Sequence, residues 1–136
     1  MKVAELFENY ERSILSVFCK QLDKVSKSIN YEGYRLDSLE GAPSSIGGNL
    51  YCSNNNFTSL HNIHKIITHI GGHADFRYNP ITSHVLGLLL IDGLLFVMLG
   101  NEKVEDIINK HLEGDRDVFA CQEELIEAGY EEFAQL

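Results

Sequence analysis

Cysteine, proline and tryptophan are scarce in this sequence. Its 136 residues include no tryptophan, two prolines and three cysteines. The cysteines, Cys19, Cys52 and Cys121, are far apart and form no CxxC pair, whereas a disulfide-stabilised secreted domain has an even set at short spacings. The N-terminal segment MKVAELFENYERS has acidic residues where a signal peptide needs an apolar core. We therefore expect a cytoplasmic protein with reduced thiols.

Basic residues are also in short supply. The chain has 20 acidic and 11 basic residues, which gives a net charge of −9. Nucleic acids and anionic membranes both attract basic surfaces, so this balance disfavours both as partners. The longest apolar stretch, residues 85–99, is interrupted by Asp92 and by glycines and is too short to cross a bilayer. We expect a partner that is neither nucleic acid nor membrane.

The N-terminal segment has the periodicity of an amphipathic helix. No proline or glycine interrupts residues 2–28, and acidic and basic residues separate the apolar ones. We predict a helix over residues 1–28 that covers the open end of whatever fold follows. Its apolar stripe, at three- and four-residue steps, consists of Val3, Leu6, Phe7, Tyr10, Ile14, Val17, Phe18, Leu22 and Val25.

Three related stretches follow, at residues 28–39, 49–60 and 73–84. The second and third share an asparagine, Asn55 and Asn79, and are each preceded by the same tripeptide, Ile46-Gly47-Gly48 and Ile70-Gly71-Gly72. Apolar residues also recur in register, as Ile29, Leu50 and Ala74, as Tyr31, Cys52 and Phe76, and as Leu36, Phe57 and Ile81.

The spacing of these stretches is typical of leucine-rich repeats. The step is 21 residues from Leu36 to Phe57 and 24 from Phe57 to Ile81, and the form LxLxxNxL matches that repeat. In each copy an alternating apolar pair predicts a short strand. In the second and third copies, the asparagine amide is expected to bond the backbone of a turn, and the preceding glycines are expected to adopt positive φ in a sharp reversal.

The segment after His84 predicts the end of the fold. Residues 94–99 have the pattern of a buried last strand. Asn101 is a suitable N-cap for a helix through about Leu112, and a second helix is expected from Asp115 to Gly129. The predicted fold class is α+β, a short leucine-rich-repeat-like solenoid in a single domain, residues 1–136. It has an N-terminal helical cap at 1–28, a sheet at 29–100 and a C-terminal helical cap at 101–136.

The segment LDSLEGAPSSIGGNLYCSNNNFTSL, residues 36–60, resembles a family of small phage and prophage leucine-rich-repeat-like proteins with the pattern LTSLEGxPxxIGGxLxCSxNxLTSL. The tail segments NEKVEDIINK and ACQEELIEAG also resemble the ending of those proteins. The chain departs from the pattern at residues 61–69, which are three residues longer than the first lead-in and lack its proline. The resemblance implies a phage origin. It assigns no activity.

The outward residues of the three predicted strands form a candidate binding face. Solenoids commonly bind through such a face, since side chains project in parallel from a rigid base. Tyr51 and Arg77 are of the types that dominate protein interfaces. We predict contact with a host protein, for example inhibition of a host-defence factor. The predicted partner-binding residues are Asn30, Glu32, Asn49, Tyr51, Ser53, His73, Asp75 and Arg77.

No catalytic motif is present in the sequence. There is no GxSxG, P-loop, HExxH or GxGxxG, and Gly47-Gly48 is not followed by the Lys-Ser/Thr of a phosphate-binding loop. The repeat register directs the Cys52 thiol into the core, where it is inert, and Cys121 has apolar neighbours on a helix. We predict that the protein is not an enzyme and has no catalytic residue and no cofactor.

Two alternatives to a host-binding module remain open. The first is a structural protein, such as a homodimer, that self-associates through an exposed helix face or an open sheet edge. The second is a metal-binding or enzymatic protein that uses residues 61–73. His61 and His64 are three residues apart, and His69 and His73 are four apart. Glycines interrupt the second pair and the segment has no acidic residue, so no metal ligand is assigned.

Overall fold

The structure, a computed structural model, describes residues 1–6 and 23–136. Residues 7–22, which make up most of the predicted N-terminal helix, therefore lie outside the described residues. The elements in chain order are α1 (Val3–Leu6), β1 (Lys24–Val25), β2 (Ile29–Asn30), β3 (Ser45–Ile46), β4 (Leu50–Tyr51), α2 (Ile63–Ile66), β5 (His69–Ile70), β6 (Ala74–Asp75), a 3-10 helix (Leu86–Leu90), β7 (Val97–Met98), α3 (Glu102–Glu113) and α4 (Val118–Glu127).

The strands form two parallel sheets. One has three strands in the order β1-β3-β5, and the other has four in the order β2-β4-β6-β7. Successive repeats place equivalent residues side by side, since Leu50 pairs with Ile29 and with Ala74, and Ala74 pairs with Val97. The register predicted from the repeats, and the last strand predicted at 94–99, are confirmed by this pairing.

The predicted fold class is wrong. A leucine-rich-repeat-like solenoid of the α+β class, with its strands in one sheet, was expected; the structure is α/β, with two parallel sheets. The second sheet contains the isoleucines of the Ile-Gly-Gly tripeptides, which were expected to form turns. Ile46 and Ile70 are fully buried in the paired strands β3 and β5. Lys24–Val25, assigned to the helical cap at 1–28, is also a strand of that sheet. The two longest described helices do follow the last strand, as the α+β class would place them.

The glycines of the tripeptides allow neighbouring repeats to approach closely. A Cβ added to Gly71 would lie 2.2 Å from the carbonyl oxygen of Gly47, and one added to Gly47 would lie 2.6 Å from that of Ser26. Neither glycine is among the residues with positive φ. The expected reason for these glycines, a left-handed turn, is therefore wrong. They are required because any side chain would collide with the backbone of the preceding repeat.

Asparagine amides join each repeat to the one before it. Asn55, which is 5% exposed, accepts from the Leu36 N–H through Oδ1 at 2.9 Å and donates to the carbonyl oxygens of Tyr31 and Cys52 at 2.9 and 3.0 Å. Asn79 repeats the arrangement with the Phe57 N–H and the Cys52 carbonyl at 3.2 and 3.0 Å. The predicted role of the amides is confirmed, although the second repeat that each one contacts precedes it.

The longer second lead-in folds as a helical turn. The path from Leu60 to Ile70 is three residues longer than that from Leu39 to Ile46, and α2 occupies it. Strands β3 and β5 nevertheless pair in register on one side, and β4 and β6 on the other. The extra residues are therefore absorbed within the connection and do not shift the sheets.

Two capped helices close the C-terminal end. The Asn101 side chain accepts from the Val104 N–H at 3.2 Å at the start of α3, and Asp117 accepts from the Ala120 N–H at 3.1 Å at the start of α4. Both predicted helices are confirmed, with the second beginning at Val118. The inward face of α3 presents Val104, Ile108 and Leu112 to the core. Among the described residues, no helix has both the length and the apolar character needed to cross a membrane.

Candidate binding face

The predicted binding residues come together on one side of the four-stranded sheet, here called the outer face. Ladder bonds and strand register align them in three rows that run across the strands. The opposite side of the same strands is fully buried at Leu50, Ala74 and Val97. From one end of the strands to the other, the rows are Asn49, His73 and Phe96, then Asn30, Tyr51, Asp75 and Met98, then Glu32, Ser53 and Arg77.

Aromatic side chains connect three strands of the outer face. The ring centroids of Tyr51 and His73 are 5.6 Å apart in an edge-on arrangement, and His73 stacks on Phe96 at 4.7 Å with 12° between the rings. Asn49 donates from Nδ2 to the Tyr51 hydroxyl at 3.0 Å and accepts from the His73 N–H at 2.9 Å. We call Tyr51, His73 and Phe96 the aromatic row, although Tyr51 belongs to the second of the three rows above and the other two residues belong to the first. Phe96 is 40% exposed, so the row ends on an open apolar surface.

Phe96 and Met98 lie on the outer face but were not among the predicted binding residues. Only three strands were assigned to the face, although the fourth strand was expected to join the sheet. The available signal was the repeat register, which aligns Phe96 with His73 and Met98 with Asp75 when Val97 is aligned with the inward residue Ala74.

Two of the predicted contact residues are not accessible. Ser53 is 8% exposed and Asp75 is 5% exposed. Arg77 forms a two-pronged ion pair with Asp75, in which Nε donates to Oδ1 at 3.0 Å and Nη2 donates to Oδ2 at 2.8 Å. The guanidinium is therefore committed within the chain, and Arg77 is not the freely available interface residue that was predicted.

Arg77 also sets the ionisation of Asp75. Burial acts to raise the pKa of the Asp75 carboxyl, but hydrogen bonds from the side chain and backbone N–H of Arg77, with its positive charge, outweigh burial and hold that pKa below its usual range. The carboxylate is consequently charged at neutral pH even though it is buried. The pair fixes the shape of the outer face beside the aromatic row.

One exposed residue at the margin of the outer face has an unusual backbone conformation. Tyr78 has φ 59° and is 72% exposed. The residues at the same position of the earlier repeats, Gly33 and Asn54, also have positive φ, at 74° and 55°. Glycine and asparagine adopt this conformation at little cost, whereas tyrosine does not. Tyr78 lines a shallow depression of about 360 Å³ together with Arg77, Gly100, Glu102 and Glu105.

The histidines of residues 61–73 have separate environments. His61 lies edge-on to His84 with 4.9 Å between ring centroids, His69 pairs with Asp92 at 3.1 Å, and His73 belongs to the aromatic row. Burial, helped by the neighbouring Lys65 and His61, lowers the pKa of His64, whose Nδ1 is buried without a hydrogen-bond partner. In the part of the chain that the structure describes, no three His, Cys, Asp or Glu side chains are grouped to hold a metal ion.

The described cysteines are buried and unpaired. Cys52 is fully buried, as its register predicted, and burial raises the pKa of its thiol well above the usual value. Burial likewise raises the pKa of Cys121 to about 12. Both groups are therefore protonated at neutral pH and have little nucleophilic character.

Comparison with known proteins gives no match. No family model matches this chain, and no curated protein or solved structure is significantly similar to it. The resemblance to small phage proteins therefore stays a prediction. The candidate site depends on the geometry of this chain alone.

Proposed function

We propose that this chain is a non-enzymatic protein-binding module that uses the outer face. The observation that carries the proposal is the aromatic row, which lies across three strands and ends on the 40% exposed ring of Phe96. Aromatic side chains supply much of the free energy of protein association, particularly when their conformations are fixed before binding. The bond that Asn49 donates to the Tyr51 hydroxyl fixes Tyr51 in this way, and stacking on Phe96 fixes the His73 ring.

The outer face is small, and its chemistry limits the partner. Four strands of two residues give less area than a typical stable interface, so the proposed complex depends on a few well-placed contacts. The charged groups of the face are the Asp75–Arg77 pair, which is internally compensated, and Glu32, which accepts from Asn54 Nδ2 at 3.2 Å. An apolar or aromatic partner surface with hydrogen-bonding groups at its margin fits this arrangement.

The resemblance to phage proteins supports a finer proposal. On this view the chain is phage-encoded and acts on a bacterial host protein, for example by blocking a defence factor. The support is the segment at residues 36–60 together with the small size and the net charge of −9. The proposed use of the outer face does not depend on this origin.

The test compares a face variant with an exposed-aromatic control. Tyr51→Ser with Phe96→Ser removes two members of the aromatic row, while Tyr34→Ser removes an aromatic residue that is 49% exposed and lies outside the row. The tagged proteins are incubated with bacterial lysates, retained proteins are identified by mass spectrometry, and the affinity of each purified candidate is measured by calorimetry. We expect the face variant to bind at least about tenfold more weakly than the native protein and the control to bind normally.

Equal binding by the face variant and the native protein would show that the outer face is not the binding surface. Arg77→Ala is unsuitable for this test. It leaves the buried Asp75 carboxylate without its partner, so a loss of binding could come from a loss of stability.

A second candidate function is self-association through α4. Phe119 and Ile126 are 82% and 45% exposed and are seven residues apart, so they lie on one side of the helix. A second copy of the chain could cover this side in a symmetric dimer. If so, the native protein has about twice the mass of the 15.4 kDa chain in solution, and Phe119→Ser restores the mass of one chain. A native protein of single-chain mass at high concentration would remove this candidate.

A further inference from the structure

The last strand of the four-stranded sheet has hydrogen-bonding groups on two edges. On the inner edge, the carbonyl oxygens of Phe96 and Met98 accept from the N–H groups of Ala74 and Phe76 at 3.2 and 2.8 Å. The N–H and C=O of Val97 and the N–H of Leu99 point to the opposite edge, where a further parallel strand would pair. An edge of this kind recruits extended segments when it is open.

Two side chains of α3 bond the N–H and carbonyl of Val97 and the N–H of Leu99. Asn109 Oδ1 accepts from the Val97 N–H at 2.8 Å, and Asn109 Nδ2 donates to the Val97 carbonyl at 2.9 Å. Glu105 Oε1 accepts from the Leu99 N–H at 2.8 Å. The Asn109 amide thus donates and accepts as the backbone of another strand would.

The helix spacing matches the strand spacing. Residues four apart on a helix lie on one side and are separated by about 6 Å along its axis. Residues two apart on a parallel strand are separated by about 6.6 Å. Glu105 and Asn109 therefore reach Leu99 and Val97 in turn, without distortion of either element.

Other parts of the C-terminal segment cover the remaining sides of the last repeat. The Arg116 guanidinium donates to the carbonyl oxygens of Ile91 and Leu94. Asp92 lies between these two residues and forms a parallel β-bridge with His69 of the three-stranded sheet. The backbone carbonyls of Glu132 and Gln135 accept from His84 and Leu86 at 3.0 and 3.2 Å.

We propose that Glu105 and Asn109 terminate the four-stranded sheet, and that the edge they cover, residues 97–99, is a latent site for a strand from a second copy of this chain. A second copy is the natural occupant because strands of this sequence already pair in parallel with one another, with apolar residues in register on the buried side. The two side chains thereby prevent end-to-end growth of the sheet. This inference is independent of the proposed binding function.

The first measurement is hydrogen exchange of the double variant Glu105→Ala with Asn109→Ala in dilute solution. We expect the Val97 and Leu99 amides to exchange at least about tenfold faster than in the native protein, since each loses its acceptor. The Leu50 and Ala74 amides, which donate to neighbouring strands, should be unchanged. The control is Asp106→Ala with Glu113→Ala, two exposed residues of the same helix, and it should resemble the native protein.

The second measurement is mass by light scattering as concentration rises. The double variant should form species of two or more chains, with the Val97 and Leu99 amides protected again, while the control keeps the native mass. Native mass at every concentration, or native exchange at Val97 and Leu99, would overturn the proposal.

A milder variant covers the case in which the double variant fails to fold, as judged by circular dichroism. Asn109→Ala alone removes both contacts with Val97 and keeps the contact of Glu105 with Leu99. It should expose the N–H and the carbonyl of Val97 and raise the mass at high concentration. A folded Asn109→Ala variant with the native mass would also overturn the proposal.

Discussion

The repeats at residues 23–99 and the helical segment at 100–136 are held together by different kinds of contact. In the repeats, equivalent positions make equivalent contacts, as in the successive pairings of Ile29, Leu50 and Ala74 and in the matched amides of Asn55 and Asn79. In the helical segment, the contacts of Asn109 and Arg116 with the last repeat have no counterpart elsewhere, and each is made by a single side chain that reaches backbone groups 12 or more residues away. The comparison predicts that repeat substitutions act on the whole chain and helical-segment substitutions act locally.

The largest effect is expected at a repeated position, Asn55. Replacing Asn55 with alanine leaves the Leu36 N–H and the carbonyls of Tyr31 and Cys52 buried without this partner, and should lower the free energy of unfolding by about 3–5 kcal/mol. Urea denaturation measures the change. The control is Asn56→Ala, at the adjacent exposed position, which should cost less than about 0.5 kcal/mol. Similar losses for the two variants would mean that the buried amide does not join the repeats.

A smaller and more local effect is expected for Arg116→Ala in the helical segment. The variant loses two hydrogen bonds to the carbonyls of Ile91 and Leu94, which should lower the free energy of unfolding by about 1–2 kcal/mol. Hydrogen exchange should accelerate around residues 91–95 and remain unchanged in β4. Equal acceleration in β4 would contradict the distinction between the two regions.

The smallest effect is expected for Arg77→Ala, which removes a contact found in one repeat only, because the Arg77 side chain is 47% exposed to solvent and its backbone N–H still donates to Asp75 in the variant. The equivalent residues of the other repeats are Glu32 and Ser53. The variant should be less stable than the native protein at neutral pH, because Asp75 stays buried without its cation. Thermal denaturation at several pH values measures the difference.

The pH dependence of that difference has a definite sign. The folded-state pKa of Asp75 is depressed, so its contribution to native stability is present above the unfolded-state pKa of about 4 and is lost as pH falls through the folded-state pKa. The gap between the native protein and Arg77→Ala should therefore narrow below about pH 4. A gap that is constant from pH 7 to pH 3 would show that the ion pair does not produce it.

The repeated part of the structure could be predicted from sequence because repetition amplifies weak signals. Three copies of an alternating apolar pair indicated both the register of β2, β4 and β6 and the outward side of their strands. The three-stranded sheet was missed because each of its two-residue strands contains a single isoleucine or valine, which produces no alternation. The glycines beside them were consequently assigned to turns.

The candidate site was predicted in position and only partly in composition. Sequence spacing placed eight residues on one side of the sheet, but it does not show that Asp75 is buried or that it engages both prongs of Arg77. The contacts of Asn109 and Arg116 with β7 and the preceding loop were also missed. Such contacts link residues that are 12 to 25 positions apart and recur at no fixed period.

The connection that contains α2 has a consequence for changes in chain length. Each repeat is held at its glycine corner and at its asparagine turn, and the chain between Leu60 and Ile70 accommodates three more residues than its counterpart without moving either anchor. Foreign loops inserted at residues 61–68 should therefore be tolerated better than insertions of the same length at residues 47–57. This connection is where the molecule can acquire new sequence, by evolution or by engineering, while the outer face keeps its geometry.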